Sequence, residues 1–179
     1  VQQKGLDIIL PSLPSLLTMP VQLVILGTGE AHYEQQLIEW ANRHTERFKV
    51  IIGYDETLSH MIEAASDIYL MPSTFEPCGL NQMYSLRYGT LPIATNVGGL
   101  ADTVVNASKE NIEDGTANGF ILKNQTAPAL LAAVQHALSL YQQPQLWRQL
   151  QTNAMSEDFS WVSSADHYIS LYQQALADR

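Results

Sequence analysis

The feature that most constrains this chain is a repeated alternation of short apolar runs with longer stretches of helical spacing. The apolar runs cover residues 21–26, 50–52, 68–71, 91–95 and 119–122. Helical patterns lie between them at 31–44, 58–65 and 80–87, and Lys4-Gly5 opens an earlier one. An apolar strand that does not alternate with polar residues is buried on both faces, the condition of a parallel sheet covered by helices. Right-handed crossovers then give a doubly wound parallel sheet, a Rossmann-like α/β fold. In such sheets ligands bind beyond the carboxyl ends of the strands. Chemistry is therefore expected in the loops after Leu26, Ile52, Met71 and Thr95.

The pattern changes after residue 122. Three helical segments follow, at 127–142, 144–155 and 161–176, with no strand between them. Thr126 is placed to cap the first. The last spaces Trp161, Ala165, Tyr168 and Tyr172 about one turn apart, a stripe that needs something to lie against.

Composition narrows the function classes. A length of 179 residues fits one domain. The net charge of −9 disfavours phosphate backbones, so no nucleic-acid partner is expected. It equally disfavours polybasic membrane binding, and no apolar run approaches the ~18 residues of a membrane helix. The single cysteine, Cys78, rules out an intrachain disulfide and fits a reducing compartment. The histidines are scattered with no cysteine cluster beside them, so no metal site is expected. Neither a Walker lysine motif nor a Gly-x-Ser-x-Gly elbow occurs. The amino terminus lacks both an initiator methionine and an apolar leader, which reads as a fragment, a trimmed chain or a processed product.

The candidate loops each admit two readings. Gly27-Thr28-Gly29 is either a tight turn or a close backbone approach to a ligand; His32 occupies the third glycine position of a dinucleotide fingerprint, so this is not an NAD signature. Glu76 precedes a helix expected from about Gly79, where it either accepts hydrogen bonds from sugar hydroxyls or complements the helix dipole. Cys78 sits just before the same helix, beside N–H groups that suit a sugar hydroxyl or a diphosphate, or is a small buried hydrophobe. Gly98-Gly99 is a backbone cradle or a packing turn. Lys4 neutralises a phosphate leaving group or is a solvated surface charge. Tyr54 stacks on a nucleobase or is a half-buried aromatic.

At these same residues the chain resembles a known family. The run Pro72-Ser73-Thr74-Phe75-Glu76-Pro77-Cys78-Gly79-Leu80-Asn81-Gln82, then Tyr88-Gly89-Thr90-Leu91-Pro92 and Gly98-Gly99-Leu100-Ala101-Asp102-Thr103-Val104, is similar to bacterial glycogen synthases and plant starch synthases. Gln3-Lys4-Gly5-Leu6-Asp7, Ile52-Gly53-Tyr54 and Asp158-Phe159-Ser160-Trp161 fit the same pattern. The resemblance implies the C-terminal half of a two-domain GT-B glycosyltransferase. Residues 1–160 would be the nucleotide-sugar-binding domain, and 161–179 a helix crossing back to an N-terminal domain. It further implies retaining glucosyl transfer from ADP-glucose to an α-1,4-glucan held by that other domain, with no cofactor and no metal, in the cytoplasm or a plastid.

Roles follow from the same resemblance. Lys4 holds the donor phosphates and Glu76 contacts the donor glucose, making these the expected catalytic residues. Tyr54 lies beside the adenine, and Cys78, Gly79, Leu80 and Asn81 form the donor-contacting turn. Tyr84 stands where related transferases carry a second glutamate. Alone, the chain is expected to bind donor weakly and to transfer little glucose. Competing readings are the donor domain of a UDP- or GDP-sugar transferase and a non-catalytic nucleotide-sugar-binding module.

Overall fold

The computed structural model describes residues 2–177. A 3-10 turn at Gln2–Lys4 leads into α1 (Leu6–Leu16), β1 (Leu23–Gly27), α2 (Ala31–Arg43), β2 (Phe48–Ile52), α3 (Glu56–Ala65), β3 (Ile68–Met71), α4 (Asn81–Tyr88) and β4 (Leu91–Thr95). Two short helices follow, α5 (Gly98–Thr103) and α6 (Lys109–Glu113), then β5 (Phe120–Leu122) and the helices α7 (Ala127–Tyr141), α8 (Pro144–Ser156) and α9 (Trp161–Ala177). Every strand expected from the apolar runs is present, and all pairings are parallel. α6 has no apolar periodicity to announce it; the Ser108 side chain starts it by accepting from the Asn111 N–H. Thr126 caps α7 in the same way, through the Ala129 N–H.

Two prolines, Pro11 and Pro14, sit inside α1. Each costs a helix interior roughly 3 kcal/mol. The helix persists because its inner face, Ile8, Ile9, Leu13 and Leu16, is buried, at roughly 1.5–3 kcal/mol per side chain.

The ladder is interrupted: β1 pairs with β2, while β3, β4 and β5 form a second group in that order. The chain steps from β1 to β2 in one direction and from β3 through β5 in the other. Right-handed crossovers therefore put α2 and α4 on opposite faces. α1 packs against α7, while α4 packs against α3 and α8. The largest buried cluster joins Leu13 of α1, Leu86 of α4, Leu91 and Ile93 of β4, Phe120 of β5, Leu130 of α7 and Leu150 of α8. The carboxyl ends of the strands consequently open on one edge, where the loops after β1, β3 and β4 come together.

Candidate functional site

Lys4 and Glu76 are 72 positions apart in sequence, and their side chains touch: the Lys4 Nζ donates to Glu76 Oε2 at 2.5 Å. Backbone contacts on either side of Lys4 produce this meeting. The Gln3 carbonyl accepts from the Thr74 N–H at 2.9 Å, and the Gln3 amide donates to the Phe75 carbonyl at 2.8 Å. Gly5 follows with φ of 78° and lies so close to Pro72 that a Cβ would overlap the Pro72 carbonyl oxygen. Only glycine satisfies both conditions. The segment thus docks along the loop after β3, and Lys4, held between its neighbours, reaches the carboxylate. Glu76 is nearly buried and has a second contact from the Ser73 hydroxyl at 3.4 Å, while the Lys4 side chain is 60% exposed. The buried carboxylate thus holds a lysine whose side chain is largely exposed.

The turn after Glu76 is shaped from behind. The Gly99 N–H donates to the Glu76 and Pro77 carbonyls, and a Cβ at Gly99 would overlap the Cys78 carbonyl oxygen. This is why two glycines follow β4: α5 begins against the turn that carries Cys78. Gln82, fully buried in the first turn of α4, donates to the Cys78 and Gly79 carbonyls at 2.9 and 3.0 Å. α4 begins at Asn81, two residues later than the glycine suggested, because Gly79 sits at φ 72° and closes the turn first. Cys78 is exposed, as is Leu80, so the packed-hydrophobe reading of Cys78 does not apply.

A cavity of about 420 Å³ lies behind this edge, lined by Lys4, Ser73 and Asn81, by the Gly27-Thr28-Gly29 turn, and by Glu63 and Tyr69. The Gly29 N–H donates to Glu34 Oε1 at 2.7 Å, which holds that turn against the start of α2. Asn81 joins α4 to its neighbours: its amide donates to the Tyr69 hydroxyl at 3.0 Å and to Glu63 Oε1 at 3.3 Å. Glu63 is buried, and its Oε2 has no hydrogen-bond partner, with the His60 Nδ1 at 3.9 Å. Burial pushes the Glu63 carboxyl above its ordinary value, against the opposing pull of His60 and Asn81. Burial also raises the Tyr69 hydroxyl; the Asn81 bond acts against this and the charges of Glu63 and Glu76 add to it. Among the described residues, no group of three or more His, Cys, Asp or Glu side chains is arranged as a metal site.

The expected site residues are thus distributed in three ways. Lys4 and Glu76 form a direct pair, and Lys4 and Asn81 share the cavity wall. Cys78, Gly79 and Leu80 form the outer turn beside them. Tyr54 follows the end of β2, is 87% exposed and lies outside the cavity lining. Sequence patterns alone do not single out Glu63, Tyr69 or Gln82. Gln82 carries one signal, a glutamine four residues after Cys78 at the start of a helix; Glu63 carries another, a carboxylate within the apolar stretch of α3.

Comparison with known proteins places this arrangement among two-domain GT-B glycosyltransferases, as their C-terminal domain. The chain belongs to the family described as "Glycosyl transferases group 1", which matches residues 1–154. It is 51% identical over 177 residues to "Glycogen synthase 1" of Methylococcus capsulatus, covering 99% of this chain and 36% of that protein. It is 55% identical over 172 residues to "Glycogen synthase" of Cellvibrio japonicus, covering 96% of this chain and 36% of that one. The chain therefore spans about a third of the length of these relatives. Among solved structures, the catalytic domain of starch synthase IV from Arabidopsis thaliana, bound to ADP and acarbose, matches with a TM-score of 0.85 at 34% identity, covering 99% of this chain and 37% of that one.

Proposed function

We propose that this chain is the donor-binding half of a glycogen or starch synthase. The whole protein would be a hexosyltransferase that moves glucose, with retention, from ADP-glucose to the non-reducing end of an α-1,4-glucan. The observation that carries the reading is the Lys4–Glu76 pair at the carboxyl edge of the sheet, with its cation exposed and its carboxylate buried. About half-identity to glycogen synthases over nearly the whole chain supports the glucosyl substrate class. The ADP bound to Arabidopsis starch synthase IV supports an adenine diphosphate donor.

In this reading charge builds on the diphosphate as the anomeric bond breaks, and the Lys4 ammonium is the cation placed to meet it. Stabilising such charge with a preorganised group is among the largest catalytic effects available. Glu76 orients Lys4 and accepts from the glucose hydroxyls. Cys78, Gly79, Leu80 and Asn81 present backbone N–H groups at the start of α4, where the helix dipole favours an anion. The exposed ring of Tyr54 offers an uncovered face for adenine. α9 (Trp161–Ala177) would cross to a preceding domain, which supplies the glucan and closes over the donor; the last two residues of the expected 161–179 segment lie outside the described residues. The seven large apolar side chains from Trp161 to Leu176 that stand exposed on α9 support that assignment.

Titration calorimetry tests the proposal. ADP-glucose is expected to bind more tightly than UDP-glucose. Lys4→Ala should weaken ADP-glucose by about tenfold or more, the equivalent of one charge-assisted phosphate contact. Glucose transfer by the chain alone should be negligible beside that of the longer protein. Unchanged affinity in Lys4→Ala, or a preference for UDP-glucose, would reject the assignment.

A further inference from the structure

Four consecutive carbonyls in the turn between β3 and α4 are held from behind. The Gly99 N–H donates to those of Glu76 and Pro77, at 3.1 and 3.2 Å, and the Gln82 amide donates to those of Cys78 and Gly79, at 2.9 and 3.0 Å. A trans peptide unit is planar and carries its N–H opposite to its C=O. Holding these carbonyls on one side therefore turns the N–H groups of Cys78, Gly79 and Leu80 to the other, Pro77 having none. Among the described residues, none of those three N–H groups donates to another part of the chain. Gly79, at φ 72°, is followed by Leu80 in the right-handed region, an alternation that makes successive N–H groups converge on an anion. Cys78 and Leu80 are both exposed.

Gln82 acts with the opposite polarity to an ordinary cap. A polar side chain at the start of a helix usually accepts from the free N–H groups there. Gln82 instead donates, to carbonyls of the segment that leads into α4. Its partners fix its orientation, because two carbonyl oxygens can receive only an N–H and the amide nitrogen must face them. Nε2 also lies 3.3 Å from the Thr103 hydroxyl, which donates to the Gly99 carbonyl at 2.6 Å. One amide thus joins α4 to α5 behind the turn. Its other end, Oε1, is buried without a hydrogen-bond partner, at the place where a Cβ on Gly79 would fall. A buried acceptor left unpaired costs stability, so stability alone favours an apolar side chain of the same length. What the amide does, and an apolar side chain cannot, is hold two carbonyls.

We propose that Gln82 is a positioning residue for donor binding: by holding the Cys78 and Gly79 carbonyls from behind, it aims the Gly79 and Leu80 N–H groups at the donor diphosphate. The inference rests on the reading that the donor binds at this turn. Gln82 is fully buried and acts only through the backbone it holds. Its contribution differs in kind from that of Lys4. A lysine is a flexible cation that can follow a phosphate, whereas backbone donors are useful only when fixed in direction. The loss of Gln82 is therefore felt by ligands that carry the diphosphate and not by the nucleoside alone.

Titration of the 179-residue chain with ADP and with adenosine, followed by proton–nitrogen NMR of its amides, tests the proposal. In the parent, ADP should move the Gly79 and Leu80 amide protons downfield as they take up the diphosphate. Gln82→Met keeps the length and the burial and removes the donor. It should weaken ADP by about tenfold, abolish the two downfield shifts and leave adenosine affinity unchanged. Unchanged ADP affinity in Gln82→Met, with both shifts intact, would overturn the role of Gln82 and leave the donor site standing. Equal losses for ADP and adenosine would also overturn it, since they mark a general disturbance of the site. A parent in which ADP moves neither amide would remove the donor site and this inference together. Should Gln82→Met not fold, the parent decides. Both Gln82 side-chain amide protons should exchange slowly with and without ADP, and rapid exchange of either would overturn the proposal.

Discussion

β1 and β4 are both five residues long and both apolar, yet every residue of β4 is buried and none of β1 is. The difference lies in their neighbours. β4 is paired on both edges, by β3 and β5, and is covered by α4, α7 and α8. Among the described residues β1 is paired on one edge, by β2, and it lines the 420 Å³ cavity. Equivalent strands therefore carry unequal shares of the stability: the β3–β5 half holds the core, and the β1–β2 half holds one wall of the candidate site. The two halves meet at the Lys4–Glu76 pair and the Glu63–Asn81–Tyr69 contacts.

The largest effect expected from this contrast is in the core half. Ile93→Ala, at a fully buried position of β4, should destabilise by about 2–5 kcal/mol, whereas Val24→Ala in β1 should cost under about 1 kcal/mol. Urea unfolding of the two variants checks the contrast, and equal losses would break it. At the junction, Glu63→Gln should raise the melting temperature at neutral pH. A carboxyl raised by burial binds its proton more tightly folded than unfolded, so stability declines as pH rises from the ordinary glutamate value of 4.5 through the higher folded value. The variant should lack this decline and match the parent at pH values below 4.5. Melting curves across that range that run parallel for both proteins would remove Glu63 from the account. The smallest effect is expected on α9: Trp161→Ser, at 82% exposure, should shift stability by less than about 0.5 kcal/mol in this chain. A larger loss would mean that α9 is anchored here.

Much of the fold is legible because its signals are local. Non-alternating runs such as those ending at Met71 and Thr95 specify two-faced burial, and hence parallel strands, before any partner is known. Thr126 reports the start of α7 through one side chain and one N–H. The glycines of the site are legible as positions of close approach, but the partner of each is not: Gly5 lies against Pro72 and Gly99 against Cys78. Glu63 and Gln82 do not stand out because a carboxylate or amide on a helix is ordinarily solvated, and only packing decides that these two are buried.

By itself, the sequence determined the strand–helix alternation, the direction of the strands, the edge on which the candidate loops lie and the family to which the chain is similar. Those properties depend on periodicity and on motifs a few residues long. The tertiary structure alone decided that Lys4 reaches Glu76, that Asn81 ties Tyr69 to Glu63, and that β1 and β3 line one cavity without pairing. Those are contacts and gaps between segments distant in the chain, and they are fixed by which surfaces remain to be covered once each element has formed.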